Sequence, residues 1–96
     1  MINNTPGLPK RFALEQNYPN PFNPTTTIRY ELPTACNVTL RVYNLLGQDV
    51  VTLVDEFQSA GFKSVRFSGS GLATGIYIYT LHAGSFVAAK KLLLLK

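Results

Sequence analysis

Three prolines within residues 16–24 constrain the fold of this chain more than any other feature. The segment reads Gln-Asn-Tyr-Pro-Asn-Pro-Phe-Asn-Pro. Each proline fixes its own φ at about −65°, lacks a backbone donor and pushes the preceding residue away from helical geometry. Neither a helix nor a central strand can pass through this segment, so we expect a stiff, extended ribbon. Tyr18 and Phe22 are predicted to anchor this proline ribbon on the rest of the domain.

The rest of the chain carries strand patterns, in which apolar and polar residues alternate with a period of two. The predicted strands cover residues 25–32, 38–43, 49–54, 62–67, 76–81 and 86–95. Residues 12–16 add a seventh strand if they pair at a sheet edge. Turn residues separate the strands, and Gly47 among them suits a left-handed position. The spacing predicts an all-β fold, an antiparallel β-sandwich or barrel of about seven strands.

The same alternation predicts which side chains face the core. The expected core positions are Thr26, Ile28, Tyr30, Leu32, Val38, Leu40, Val42, Val65, Phe67, Tyr77, Tyr79 and Leu81. Tyr77 and Tyr79 could also form a stacking platform for a ligand. Because they share a face with Leu81, we interpret them as core residues whose hydroxyls reach the rim. Tyr43 is the better candidate for an exposed ring.

The length and composition indicate a single globular domain. The chain has 96 residues, 46% of them hydrophobic, and a net charge of +4. We expect residues 1–11 to be a linker and residues 12–96 to form the domain. No apolar stretch approaches the roughly 20 residues of a membrane span, and the start lacks the features of a signal peptide. We therefore expect no membrane insertion, and a longer precursor in which Met1 is not the native start.

The sequence offers little for catalysis or metal binding. Cys36 and His82 are the only residues of their types, and no spacing links them. Of the acids only Asp55 and Glu56 are adjacent, and neighbours along a strand point to opposite faces. We predict that the chain is not an enzyme and needs no metal and no cofactor. Cys36 is interpreted as an inert small residue at a strand entrance, and His82 as a solvated residue on an outer face.

The basic residues are concentrated in the last third of the chain. Residues 61–96 hold five basic residues and no acid, whereas residues 1–60 hold four basic residues and five acids. The basic residues lack the aromatic interleaving of a single-strand nucleic-acid binder, so we expect no nucleic-acid partner. Two interpretations remain open. The lysines either protect an edge strand against aggregation or contribute to recognition by an acidic partner.

Four stretches resemble motifs of one known family and follow each other in the family's order. They are residues 14–30 (LEQNYPNPFNPTTTIRY), 42–50 (VYNLLGQDV), 71–77 (GLATGIY) and 90–96 (KKLLLLK). Together they resemble the type A C-terminal sorting domain of cargo proteins of the type IX secretion system of Bacteroidetes. The resemblance covers about residues 12–96.

The resemblance implies a fold, a function and a set of residues. The fold would be an immunoglobulin-like antiparallel β-sandwich. The function would be to direct a cargo protein, attached N-terminally, through the periplasm and across the outer membrane by the type IX translocon. A cell-surface sortase would then cleave the domain off, or the cargo would be attached to the surface. The matched residues are Gly75, Tyr77, Lys90, Lys91 and Lys96 for recognition, and Pro19, Asn20, Pro21, Phe22, Pro24 and Gly47 for structure.

Two other functions stay open at the level of the sequence. A small sandwich on a secreted protein could be a carbohydrate-binding or adhesive module, although Trp is absent and acids are few. It could also be a structural domain that self-associates by strand addition at an exposed edge.

Overall fold

The computed structural model describes residues 7–96, and this part of the chain consists of strands, turns and loops. The strands are β1 (Ala13–Leu14), β2 (Thr25–Leu32), β3 (Cys36–Tyr43), β4 (Asp49–Gln58), β5 (Gly61–Ser68), β6 (Gly75–Ala83) and β7 (Phe86–Leu94). The predicted all-β fold of about seven strands is confirmed. The conditional edge strand exists as β1, which is shorter than expected. Residues 1–6 of the predicted linker lie outside the described residues.

The strands form two antiparallel sheets that pack face to face. One sheet has the order β1-β2-β5 and the other the order β4-β3-β6-β7. The chain crosses from the second sheet to the first between β4 and β5, at residues 59–60. The predicted antiparallel sandwich is therefore confirmed, and the two-sheet arrangement agrees with the immunoglobulin-like architecture that the resemblance implies.

Alternate residues of the central strands fill the space between the sheets, as the period of two predicts. The fully buried apolar side chains include Ile28, Leu32, Val38, Leu40, Val42, Tyr79, Leu81 and Leu94. Tyr77 and Tyr79 belong to this core, as predicted. The expectation that both hydroxyls reach the rim is wrong for Tyr79, whose side chain is fully buried. Tyr43 is partly buried on the opposite face of its sheet.

Strand β4 is four residues longer than predicted. Residues 55–58 continue the ladder opposite Cys36–Thr39 of β3, although Asp55 and Glu56 disfavour a strand locally. These two side chains are exposed because β4 is an edge strand. Charged side chains are common on such strands because they discourage pairing with other molecules. Two register shifts in the β3–β4 pair interrupt the simple alternation.

The proline ribbon packs along the sandwich, but only one of its two aromatic residues anchors it. Phe22 is 2% exposed, and its ring centroid lies 5.9 Å from that of Phe67. Tyr18 is 74% exposed, so its predicted anchoring role is wrong. The reason is strand register: Tyr18 pairs with Thr27, whose side chain points away from the core next to the buried Thr26. The three Xaa-Pro bonds of the ribbon are cis.

The second anchor of the ribbon is a buried amide that the sequence did not reveal. Asn17 is 2% exposed. Its Nδ2 donates to Thr26 Oγ1 at 3.0 Å and to the carbonyl oxygen of Pro19 at 3.2 Å. Thr26 Oγ1 in turn donates to the same carbonyl at 2.8 Å. A buried amide is favourable only when it is paired in this way.

Alanine substitution of the two aromatic ribbon residues should therefore have unequal effects. Phe22→Ala removes a buried ring and should lower the free energy of unfolding by about 3–5 kcal/mol. Tyr18→Ala changes an exposed side chain and should shift it by no more than about 0.5 kcal/mol. Urea unfolding of the wild type and of both variants measures the difference. Equal losses in the two variants would contradict the register described above.

Candidate functional site

The C-terminal strand β7 lies at an edge of the four-stranded sheet, with β6 as its strand neighbour. The two strands form a tight hairpin in which Ala83 pairs with Phe86. From this register, the backbone groups of residues 87, 89, 91, 93 and 95 point away from β6. Such outward N–H and C=O groups are a template on which another chain can pair.

The proline ribbon covers the second half of this edge with four hydrogen bonds. Gln16 Nε2 donates to the carbonyl oxygen of Lys91 at 2.6 Å. The backbone N–H of Leu93 donates to Asn20 Oδ1 at 2.9 Å. Phe22 donates its N–H to the carbonyl of Leu93 at 3.0 Å, and its own carbonyl accepts from the N–H of Leu95 at 3.0 Å. Residues 91–95 are thus paired by the chain itself, in a parallel bridge of Phe22 with Leu94.

A buried tyrosine hydroxyl fixes the start of the ribbon on β6. The backbone N–H of Asn17 donates to the Tyr79 hydroxyl at 2.8 Å, and that hydroxyl donates to the carbonyl of Glu15 at 2.7 Å. Burial raises the pKa of Tyr79 to about 12, while the hydrogen bond from Asn17 acts in the opposite direction. The neutral hydroxyl satisfies one backbone donor and one backbone acceptor of the ribbon at once.

The predicted recognition residues Gly75 and Tyr77 lie on β6, directly beside the end of β7. Gly75 pairs with Leu94 and has a φ of 156°, which residues with a side chain rarely adopt. Tyr77 pairs with Leu92 and is buried, and its hydroxyl donates to the carbonyl of Ala73 at 2.6 Å. These positions shape the hairpin from within and offer little surface to a partner.

The three predicted lysines do not share one face of the domain. Lys90 pairs with Tyr79, on the face of β7 that points between the sheets, and is partly buried. Lys91 pairs with Ile78 on the opposite face and is exposed. Lys96 follows the strand, is exposed, and donates its backbone N–H to Thr74 Oγ1 at 3.2 Å. The separation follows from strand geometry, because adjacent residues point to opposite sides.

The predicted structural residues fall into two groups. Asn20 and Phe22 bind the edge of β7. Pro19 and Pro24 instead contribute carbonyl oxygens that accept hydrogen bonds. The carbonyl of Pro24 accepts from the N–H of Gly69 at 2.7 Å. Pro21 is exposed.

Gly47 lies in the turn that joins β3 to β4. It adopts the left-handed conformation that the sequence predicts, with a φ of 82°. Asn44 closes this turn, because its Oδ1 accepts from the N–H groups of Leu46 at 2.9 Å and Gln48 at 3.0 Å.

The remaining reactive residues lie apart from each other. Cys36 is a free cysteine at the start of β3, and His82 is exposed on the outer face of β6. Across residues 7–96, no group of three or more His, Cys, Asp or Glu side chains is placed to share a metal ion. The described part of the chain also contains no helix that is long and apolar enough to cross a membrane.

Comparison with known proteins identifies a family and a structural neighbour. A family model described as "Secretion system C-terminal sorting domain" matches residues 16–95. The fold is similar to part of PorZ, an essential bacterial surface component of the type IX secretion system of Porphyromonas gingivalis, with a TM-score of 0.59 and 14% sequence identity. The similarity covers 88% of this chain and 11% of that protein, so it bears on the fold alone. No curated protein matches the sequence.

Removing the Tyr79 hydroxyl should weaken the attachment of the ribbon. Tyr79→Phe leaves the N–H of Asn17 and the carbonyl of Glu15 without their partner, and should lower the free energy of unfolding by roughly 1–3 kcal/mol. Tyr18→Phe is the control, because the Tyr18 ring is exposed. Urea unfolding at neutral pH measures both variants, and equal stabilities of Tyr79→Phe and wild type would contradict the assignment.

The same hydroxyl should make the stability depend on alkaline pH. The pKa of Tyr79 is about 12 in the folded protein, against an ordinary value of 10.0. The unfolded chain therefore loses this proton first, so stability is fully present below pH 10 and is lost as the pH rises towards 12. Tyr79→Phe should lose less stability than the wild type over this pH range. Part of the decline should remain, because burial also raises the pKa of Tyr30.

Proposed function

The chain belongs to the family of secretion system C-terminal sorting domains, which makes it a sorting signal of the type IX system, and we propose how it acts. The domain is attached to the C-terminal end of a cargo protein, with residues 1–11 as the linker. It directs this cargo through the periplasm and across the outer membrane to the cell surface. A cell-surface sortase then removes the domain, or the cargo is attached to the surface.

The observation that carries this proposal is the family match over residues 16–95, which spans the ribbon and both sheets. The match includes the segment in which the ribbon holds the C-terminal strand. A domain that serves as an address needs a stable, recognisable surface and no reaction centre. We therefore propose that it is not catalytic, in keeping with a sequence that has a single Cys and a single His.

Within the matched residues, we propose a division of labour between surface and scaffold. Lys91 and Lys96 are exposed beside the covered edge of β7, and the translocon reads them directly. Lys90, partly buried between the sheets, contributes its charge at the rim. Gly75 and Tyr77 act indirectly, by fixing the shape of the β6–β7 hairpin.

Family membership does not favour the alternative of a carbohydrate-binding or adhesive module. Self-association through an edge strand stays a prediction. The ribbon pairs residues 91–95 of β7, whereas the outward groups of residues 87 and 89 have no backbone partner among the described residues. A short free segment of this kind is a weak template for pairing.

Replacing the three C-terminal lysines should reduce export without unfolding the domain. A reporter protein is fused ahead of the domain, and its arrival on the outer surface of a type IX-competent bacterium is measured. We expect the Lys90→Gln/Lys91→Gln/Lys96→Gln variant to be exported less than the wild type. Changes at exposed positions such as Lys91 and Lys96 usually alter stability by no more than about 0.5 kcal/mol each. Gln keeps part of the apolar stem that Lys90 packs between the sheets, so the melting temperature should fall only slightly.

A second triple variant separates the position of the charges from their number. Arg29→Gln/Lys63→Gln/Arg66→Gln also removes three positive charges, but from β2 and β5 of the three-stranded sheet, which do not pair with β7. It should be exported like the wild type. If the β7 variant stays folded and is exported at the wild-type level, the lysines protect the edge strand and do not form a recognition signal.

A further inference from the structure

The two outer faces of the sandwich differ in chemistry. The outer face of the three-stranded sheet is mostly polar along β2 and β5, where Thr25 pairs with Ser68, Thr27 with Arg66, Arg29 with Ser64, and Glu31 with the exposed Phe62. The outer face of the four-stranded sheet instead carries aromatic and aliphatic side chains at one end, where Tyr43 pairs with Ile78 and Ile76 pairs with Leu93. Only the second face presents a contiguous apolar surface.

This apolar surface is only partly shielded by the domain itself. Ile76 is 43% exposed, and the other three side chains are partly buried against their neighbours in the sheet. The turn after β3 lies at the same end of the sheet and adds two exposed leucines, Leu45 and Leu46. A contiguous apolar patch on a small domain is a common mark of an interaction site.

Positively charged side chains lie among these apolar side chains. The two strands that contribute most of the apolar side chains contain no acidic residue. Arg41 pairs with Thr80, and Lys91 pairs with Ile78, so both cations lie on the outer face. The strands β6 and β7 contain no Asp or Glu. We name this surface, formed by Arg41, Tyr43, Ile76, Ile78, Lys91 and Leu93, the outer apolar face.

One end of the outer apolar face holds two polar atoms that lack partners. Arg41 Nε and Thr80 Oγ1 are buried and have no hydrogen-bond partner in residues 7–96. They belong to directly opposed residues of β3 and β6. Buried polar groups are nearly always paired, and a guanidinium suits a carboxylate, which can accept two of its hydrogen bonds. Arg41 Nε is itself closed to solvent, so a partner's carboxylate would contact the terminal guanidinium nitrogens of Arg41 instead.

We propose that the outer apolar face is the surface by which the type IX machinery recognises the folded domain, and that the partner is a protein surface combining apolar side chains with a carboxylate that pairs with Arg41. The inference rests on the proposed function. Aromatic side chains and arginine, surrounded by apolar area, are typical of the centres of protein–protein interfaces. On the three-stranded sheet, the exposed Phe62 has Glu31 and Ser64 as neighbours in place of apolar side chains.

Two matched double variants test the proposal. Arg41→Glu/Ile76→Thr reverses one positive charge of the outer apolar face and removes apolar area from it. Arg66→Glu/Phe62→Thr makes the same kinds of change on the three-stranded sheet, where Phe62 is 60% exposed. Export of a reporter fused ahead of each domain is measured in a type IX-competent bacterium, beside the wild-type fusion and the reporter alone. Circular dichroism and melting temperature verify folding, and Arg41→Gln replaces the first variant if that variant melts early.

The expected result is a loss of surface reporter by about tenfold or more for the first variant, because reversing a desolvated interfacial charge severely weakens binding. The second variant should match the wild type. Equal export of both variants, or an equal loss in both, would overturn the proposal while the proposed function stands. Failure of the wild-type fusion to exceed the reporter alone would instead overturn the proposed function, and this inference with it.

Two further measurements test whether a second copy of the domain or a membrane surface, in place of another protein, binds the outer apolar face. Sedimentation of the purified domain over a range of concentrations detects a second copy, and co-flotation with vesicles of anionic lipid detects a membrane surface. If wild type self-associates or binds vesicles, and Arg41→Glu/Ile76→Thr does neither, the protein partner proposed here is wrong. Monomeric wild type that does not float, together with the expected export defect, supports it.

Discussion

The hydrogen bonds between the proline ribbon and the outward edge of β7 organise the rest of this structure. Edge strands leave backbone groups unpaired, and an added strand would only move that edge outwards. Prolines avoid this outcome because they have no N–H to offer to a further strand. Towards the edge of β7, the ribbon pairs through the backbone of Phe22 alone, while Gln16 and Asn20 use side chains. The ribbon therefore covers the edge without creating an equally good one.

The same contacts tie together parts of the chain that are distant in sequence. The bonds of Tyr79 with Asn17 and of Gln16 with Lys91 join residues separated by 62 and 75 positions. Phe22 enters the core only because its backbone is in register with residues 93–95. The ribbon binds groups on both β6 and β7, so its docked position requires an intact β6–β7 hairpin. The start of the domain thus depends on the integrity of its C-terminal strand.

Local periodicity predicted the strands and their inner faces, because burial on one face requires alternation whatever the partner strand is. It also predicted the turn at Gly47, where conformation depends on one residue. It failed at Tyr18 and Asn17, where the identity of the buried residue depends on the register of the ribbon against β2. In the ribbon, a hydrogen-bonded amide is buried and the aromatic residue next to it is exposed. Composition alone suggests the reverse.

The candidate site shows the same limit to what the sequence can predict. Adjacent residues such as Lys90 and Lys91 form a motif in sequence, yet the strand places their side chains on opposite faces. The outer apolar face is the converse case, since Arg41, Ile76 and Leu93 come together only through strand pairing. The ribbon also limits how β7 can be read. Because residues 91–95 are already paired along their edge, a partner that approaches there cannot add a strand without displacing the ribbon. The side chains on the outer face remain accessible to it while the domain stays folded.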